Sequence, residues 1–312
     1  METISLLEFT DRFDSESACR TWMEAVRWPS GPECPRCESS RVGRLRTRPS
    51  QFTCRGCRYR FSVTSGTPLH GTHLPLRTWM LAMYLMATST KGVSARKLSE
   101  WLEVGYRTAW HLGHRIRALM AADPGLGEKL SGIVEADETY VGGPPRRRNR
   151  GPRKCRGDIS GRGDGKPCVL VAASRGGKVR LDVISTHSAR EIGRRLLRWL
   201  DPGSVLATDE LPAYLSIGKR FKAHIHVRHK KGEYARTDHA TGLRAHNNTA
   251  ESLNSVLKNA IRAVFHGVSR RHLARYAHEI QFRWNQRSRG AMDRLRGLMV
   301  PSAPLALGAL LP

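Results

Sequence analysis

The stretch "GIVEADETYVGG", residues 132–143, decides how this chain is read. Ile133, Val134 and Ala136 form an apolar run that suits a buried strand, yet Asp137 and Glu138 follow at once. A carboxylate beside a core is costly unless something pairs it. The arrangement recurs in "SVLATDEL" (204–211), where Asp209 ends a second apolar run. Two acids held close repel unless a cation lies between them, and carboxylates suit a hard divalent ion such as Mg²⁺.

A third acid lies in "NNTAESLNSVLKNAIRAVF" (247–265). Leu253, Val256, Leu257, Ala260, Ile261 and Val264 follow the spacing of a helix with one apolar face, and Thr249 is placed to cap it. At about 100° per residue Glu251 falls roughly opposite that stripe, and Lys258 falls within about 20° of Glu251. Ser255 and Arg262 share the polar side. Between the first two acids stand "CVLVAAS" (168–174) and "KVRLDVIST" (178–186), two strands around an "RGG" turn. Then comes "SAREIGRRLLRWL" (188–200), a helix capped by Ser188. "AHIHV" (223–227) reads as a fifth strand, and helices are expected over about 249–264 and 269–286. Three strands, a helix and a fourth strand is the element order of a ribonuclease H-like fold. Asp137 and Asp209 are then expected side by side, with Glu251 reaching in from its helix. Such a trio can hold two Mg²⁺ ions ~3.5 to 4 Å apart.

Upstream, "CPRC" (34–37) and "CRGC" (54–57) are two knuckles separated by 16 residues. This is the spacing of a four-cysteine zinc ribbon, in which Cys34, Cys37, Cys54 and Cys57 complete a tetrahedral site and leave no open position for catalysis. The zinc is therefore read as structural. Cys19, Cys155 and Cys168 read as ordinary buried or loop cysteines. "VSARKLSEWLEVGYRTAWHLGHRIRALM" (93–120) has the pattern of a helix-turn-helix with Gly105 at its turn. Its second helix is expected to show Arg107, His111, His114 and Arg115 to the DNA major groove. A plain helical hairpin with a solvated basic face is the competing account. A run rich in Gly, Pro and Arg at 142–166 includes Arg146, Arg147 and Arg148, and reads as a phosphate-tracking insert or a tolerated surface loop.

Composition agrees. Lys and Arg number 53 against 27 Asp and Glu, a formal charge of +26 spread along the chain, which calls for a polyanionic partner. "WMLAMYLMATST" (79–90) is too short for a membrane span and reads as a buried helix. The acidic N-terminus lacks a signal-peptide pattern, so a cytoplasmic, nucleoid-associated protein is expected.

The motifs "CPRC…CRGC", "VEADETYVGG", "ATDELPAY" and "HNNTAESLNSVLKNAIRAVFHGVSRRHLARYAHEIQFRWN" resemble bacterial insertion-sequence transposases of the DDE type, specifically the ISXO-type group. The resemblance covers nearly the whole chain. It implies a multidomain α+β protein: an N-terminal zinc ribbon, a helix-turn-helix and a C-terminal ribonuclease H-like α/β catalytic domain. Asp137, Asp209 and Glu251 would be the catalytic triad, binding Mg²⁺ or Mn²⁺, and Lys258 the catalytic-site base that contacts terminal DNA; Arg262, on the same polar side of the helix, is expected to bind DNA as well. Some members carry Asn at the third position, so Asn247 and Asn254 stay open beside Glu251. Terminal inverted repeats and target DNA are the implied partners, with a homo-oligomer assembled on them. The expected segments are a helical lead-in at 1–28, the ribbon at 29–66, the DNA-binding helices at 75–121, the catalytic domain at 130–288 and a tail at 289–312. A DNA-binding regulator with idle acids, or a nuclease or resolvase of the same fold, are the alternatives.

Overall fold

The computed structural model describes residues 4–123, 127–142, 166–228 and 232–299. The chain divides into two compact units, Glu128–Asn285 and the remainder, Met1–Gly127 with Gln286–Pro312.

The first unit begins with α1 (Leu6–Arg12) and α2 (Glu16–Arg27). Ser5 and Glu8 form a reciprocal capping box on α1, and Ser15 caps α2. Phe9, Phe13 and Met23 are buried as amphipathic spacing requires, whereas Leu6 and Leu7 are exposed. Strands β1 (Val42–Leu45), β2 (Arg48–Cys54) and β3 (Arg60–Ser62) make an antiparallel three-stranded sheet around the cysteines. Its small core is Phe52 and Phe61 stacked on one another with Trp28 edge-on to both. Helix α3 (Leu76–Thr88) is buried nearly all round, from Trp79 to Ala87. Its first turn has no side-chain cap of its own; the Glu16 carboxylate accepts from the Leu76 and Arg77 amides instead. Then come α4 (Ala95–Leu102), capped by Ser94, and α5 (Tyr106–Ala121). The left-handed residue that ends α4 is Glu103, and the expected turn glycine, Gly105, is the ordinary N-cap of α5. The stretch 289–312, expected as a tail, contains a helix, Ala291–Met299, that buries Met292, Leu295, Leu298 and Met299 in this unit.

The second unit is a sheet with helices on both faces. Its strands are β4 (Ile133–Tyr140), β5 (Cys168–Ser174), β6 (Val179–Ile184), β7 (Val205–Thr208) and β8 (Ala223–His226), in the order β6-β5-β4-β7-β8. The β4, β5 and β6 meander is antiparallel, while β7 and β8 join it in parallel. Successive side chains of a strand alternate between faces. Accordingly Val134, Ala136, Leu170 and Ala172 pack under α6 (Ala189–Trp199) and α7 (Pro212–Gly218). Val169, Val171 and Ala173 pack under α8 (Asn248–Asn259) and α9 (Leu273–Asn285). Helix α6 carries the chain from the β6 edge back to the centre, which sets β7 beside β4. A short pair, β9 (Arg236–Thr237) and β10 (Arg244–Ala245), precedes α8 and has no counterpart in the sequence reading. Helix α8 runs into a π-helical turn at Ala260–Val264, a widened turn that often accompanies functional sites.

Candidate active site and zinc cluster

Strand β4 does not end at Asp137 as the sequence suggested; it continues to Tyr140 against β5. What stops there is its other neighbour. β4 pairs with β7 through Ile133–Val205, Val134–Leu206 and Glu135–Ala207. Two residues further along the same register, Asp137 comes abreast of Asp209, just past the end of β7. Neighbouring strands lie ~4.8 Å apart, so the two carboxylates share one end of the parallel pair.

Their proximity is visible in the electrostatics. Burial pushes the Asp137 carboxyl up to about 7, Asp209 and Glu251 push it the same way, and the Glu138 amide and Lys258 oppose them. Asp209 is fixed by accepting from the Leu211 amide at 3.0 Å. Glu251 and Lys258 are exposed on α8, on one side as the helical wheel required. The wheel erred in two places. Val256, counted with the apolar stripe, is 37% exposed, and the cap of α8 is not Thr249. The amides of Thr249 and Ala250 donate to the buried Glu135 carboxylate of β4, a partner distant in sequence.

Asn254 is buried one turn beyond Glu251 and donates its Nδ2 to Asp137 Oδ2 at 2.7 Å. Its Oδ1 is buried without a hydrogen-bond partner. Asn247 points elsewhere, donating to the Ala136 carbonyl at 3.0 Å. Asp209 and Glu251 both act on the Asp137 carboxyl, and the Asn254 amide sits against it; carboxylate and amide oxygens are the donors that Mg²⁺ or Mn²⁺ takes. Glu138 alternates to the opposite face of β4 and accepts from the Tyr214 hydroxyl at 2.8 Å. Burial raises its carboxyl to about 8. The sequence marks Glu138 as a second acid without giving it a partner, and Tyr214 goes unremarked, although the repeated Asp-Glu pairs of "DETY" and "DELPAY" were a usable signal.

The Asp137 shift has a consequence for stability. The folded carboxyl titrates near 7 against an ordinary 3.8, so between those pH values the folded unit holds a proton that the unfolded chain has released. This contribution is complete below about pH 4 and is lost as pH rises through about 7. Without divalent cation at pH 8, Asp137→Asn is therefore expected to be more stable than the wild type by about 1 to 3 kcal/mol. Added Mg²⁺ should raise the melting temperature of the wild type but not of the variant. A variant that melts lower than wild type under these conditions would contradict the repulsion.

In the first unit the Sγ atoms of Cys34, Cys37, Cys54 and Cys57 all lie within 4.8 Å of one another. Cys34–Cys57 and Cys37–Cys54 are each 3.6 Å apart. A tetrahedral ion with ~2.3 Å bonds needs sulfurs about 3.8 Å apart, so the cluster has the dimensions of a zinc site. The Cys57 and Gly56 amides point at Cys54 Sγ and pull that thiol down to about 6, while the neighbouring Cys57 and Cys54 thiols raise Cys37 to about 12. Among the described residues this is the sole group of at least three His, Cys, Asp or Glu with ligand atoms this close. Cys19 and Cys168 are buried outside it.

The expected DNA-facing residues divide. Arg107 and His111 are exposed on α5, and Arg262 is exposed on the π-helical turn. His114 is buried at 2% exposure with its ring against Trp110. Arg115 donates to the Pro68 and His70 carbonyls and lies over the Trp79 ring. Those two positions are a correction to the sequence reading: α5 packs on two faces, against α4 and against α3, so its polar residues near the second contact turn inward. Arg146, Arg147, Arg148 and Cys155 lie outside the described residues.

A zinc-binding segment, followed by a helix-covered sheet with acids abreast on β4 and β7, is what the chain presents on its own. Residues 129–285 match the family described as the ISXO2-like transposase domain, and residues 14–60 match the transposase zinc-ribbon domain. A protein of Halobacterium salinarum described as "Uncharacterized protein in transposable element ISH50" is 32% identical over 286 residues, covering 87% of this chain and 91% of that protein. The chain belongs to the ISXO2-like transposase family. Among solved structures, the Mos1 strand transfer complex aligns over 65% of this chain and 75% of its own at 13% identity and a TM-score of 0.22. A pre-cleavage Mos1 transpososome aligns at 11% identity and a TM-score of 0.19, over 65% and 76% of the two chains. Superpositions this loose decide nothing about the fold.

Proposed function

We propose that this chain is the transposase of an insertion sequence, and that it cuts DNA at the element's terminal inverted repeats and joins the freed ends to target DNA. One observation carries the chemistry: Asp137 and Asp209 stand abreast just past the last β4–β7 pair, with Glu251 on α8 within electrostatic reach. The strand order, with helices on both faces, supports a ribonuclease H-like catalytic domain. Asp137, Asp209 and Glu251 would hold Mg²⁺ or Mn²⁺, with the Asn254 amide oxygen beside them. Divalent ions so held neutralise phosphate charge and favour an oxygen nucleophile.

In the first step a water oxygen bonds to the phosphorus at the element end, and the 3′ oxygen leaves as a hydroxyl. That hydroxyl then attacks a target phosphodiester, forming one P–O bond as another breaks, so no outside energy source is needed. Lys258, which acts on the Asp137 carboxyl, and Arg262, exposed on the π-helical turn, would contact phosphate oxygens of the DNA. The zinc ribbon and the α4–α5 pair, read as a helix-turn-helix with Arg107 and His111 outward, would hold the inverted repeats. Two ends must meet, so a homo-oligomer on DNA is expected. The +26 charge supports a polyanionic partner, and no described helix is long and apolar enough to cross a membrane.

A strand-transfer assay tests the reading. Incubated with Mg²⁺, a labelled duplex carrying the element end and unlabelled target DNA, the protein should yield label covalently joined to target. Cleavage without joining would instead identify a nuclease, and neither product a DNA-binding regulator.

A further inference from the structure

Glu135 is the most deeply buried acid on β4, at 0% exposure, and a lone buried carboxylate is costly. Its Oε2 accepts from the amides of Thr249 at 2.6 Å and Ala250 at 3.1 Å, in the first turn of α8. Its Oε1 accepts from Arg175 Nε at 2.7 Å, and His246 Nδ1 lies 3.1 Å away. Arg175 then reaches past Glu135 and donates to the Arg244 and His246 carbonyls, in the segment that leads into α8. A second tie runs beside the first, from Asn247 Nδ2 to the Ala136 carbonyl.

A helix start needs acceptors for its free amides, and the N-cap side chain ordinarily supplies them. Asn247 holds the N-cap position of α8 but makes no capping bond, because its side chain is turned to β4. Local capping would satisfy the helix and leave its position free. Capping from Glu135 satisfies the same amides and also fixes where the helix begins. Glu135 lies two residues before Asp137 on the same face of the strand, and Glu251 directly follows Ala250 on the helix. The strand acid and the helix acid are thus joined through one carboxylate.

We propose that Glu135 is a positioning residue, whose carboxylate docks α8 on β4 and so sets how Glu251 and Asn254 face Asp137. This rests on the reading of Asp137, Asp209 and Glu251 as a cation site. Buried ion pairs add little net stability as a rule, so a contact of this kind is better explained by the geometry it enforces.

The test is Mn²⁺ binding to the full-length protein, followed by the electron paramagnetic resonance of the free ion, for wild type, Glu135→Ala, Glu135→Gln and Asp209→Asn. Loss of a group that orients metal ligands typically weakens binding about 10- to 100-fold, and that weakening is expected for Glu135→Ala. Glu135→Gln keeps an oxygen for the Thr249 amide but loses the charge facing Arg175, so it should fall between; it also carries the test if the Ala variant does not fold. Affinities within about twofold of wild type in both variants, with Asp209→Asn unable to bind, overturn the proposal. So does loss of the folded second unit in both variants, which makes the contact structural only. If Asp209→Asn binds Mn²⁺ like the wild type, the cation site itself is wrong and the positioning role goes with it.

Discussion

Asp209→Asn is expected to abolish DNA strand cleavage while leaving DNA affinity unchanged. The side chain keeps its size and can still accept from the Leu211 amide, so the turn after β7 should survive. What disappears is one negative charge from the pair just past the β4–β7 pairing, and with it one anionic oxygen that the proposed cation site would need. Groups that act as one set are strongly interdependent, so removing a single member should cost on the order of 10³-fold or more in rate. Two measurements decide the case: initial cleavage rate on a labelled element end, and a gel-shift titration of the same duplex. Cleavage at the wild-type rate would reject the site. Affinity lost together with cleavage would mean that the substitution disrupts folding or DNA contact rather than chemistry.

Removal of zinc is expected to unfold the cysteine segment. Its own core is little more than Trp28, Phe52 and Phe61, too small to hold three short strands together. In such modules the metal contributes apparent folding energy on the order of 10 to 16 kcal/mol, more than the segment can replace. Chelation, or Cys54→Ser, should expose the remaining thiols to a thiol reagent and lower affinity for DNA. The β4–β8 sheet has separate cores and should keep its own thermal transition. Thiols that stay protected after complete chelation would show that the cluster is held without metal.

Much of this was legible in the sequence because short-range physics wrote it. The two C-x-x-C knuckles announce a tetrahedral site, since a two-residue gap is what lets both sulfurs reach one ion. Alternating and continuous apolar runs gave β5, β6, β7 and β8, and Ser188 marked its helix by local capping. Helical spacing alone put Glu251 and Lys258 on one side of α8. Errors arose where a second packing partner intervened. The pattern of 93–120 turns His114 and Arg115 toward DNA, but α5 packs against α3 as well as α4: His114 is buried beside Trp110, and Arg115 donates to the Pro68 and His70 carbonyls. The tail expected at 289–312 overlooks a helical stripe, Met292, Leu295, Leu298 and Met299, and Ala291–Met299 forms a helix that buries it in the first unit.

By itself, then, the sequence determined which residues have the right chemistry: four thiols at ligand spacing, acids following apolar runs, and a helix with an acid and a base on one side. Only the tertiary structure decided which of them meet. The β4–β7 register brings Asp137 abreast of Asp209 across some seventy residues of chain, Asn254 closes on Asp137, and Glu135 reaches the first turn of α8. Spacing along a chain reports neighbours within a turn or a strand. Convergence across a sheet depends on register and on helix docking, which the whole core sets together.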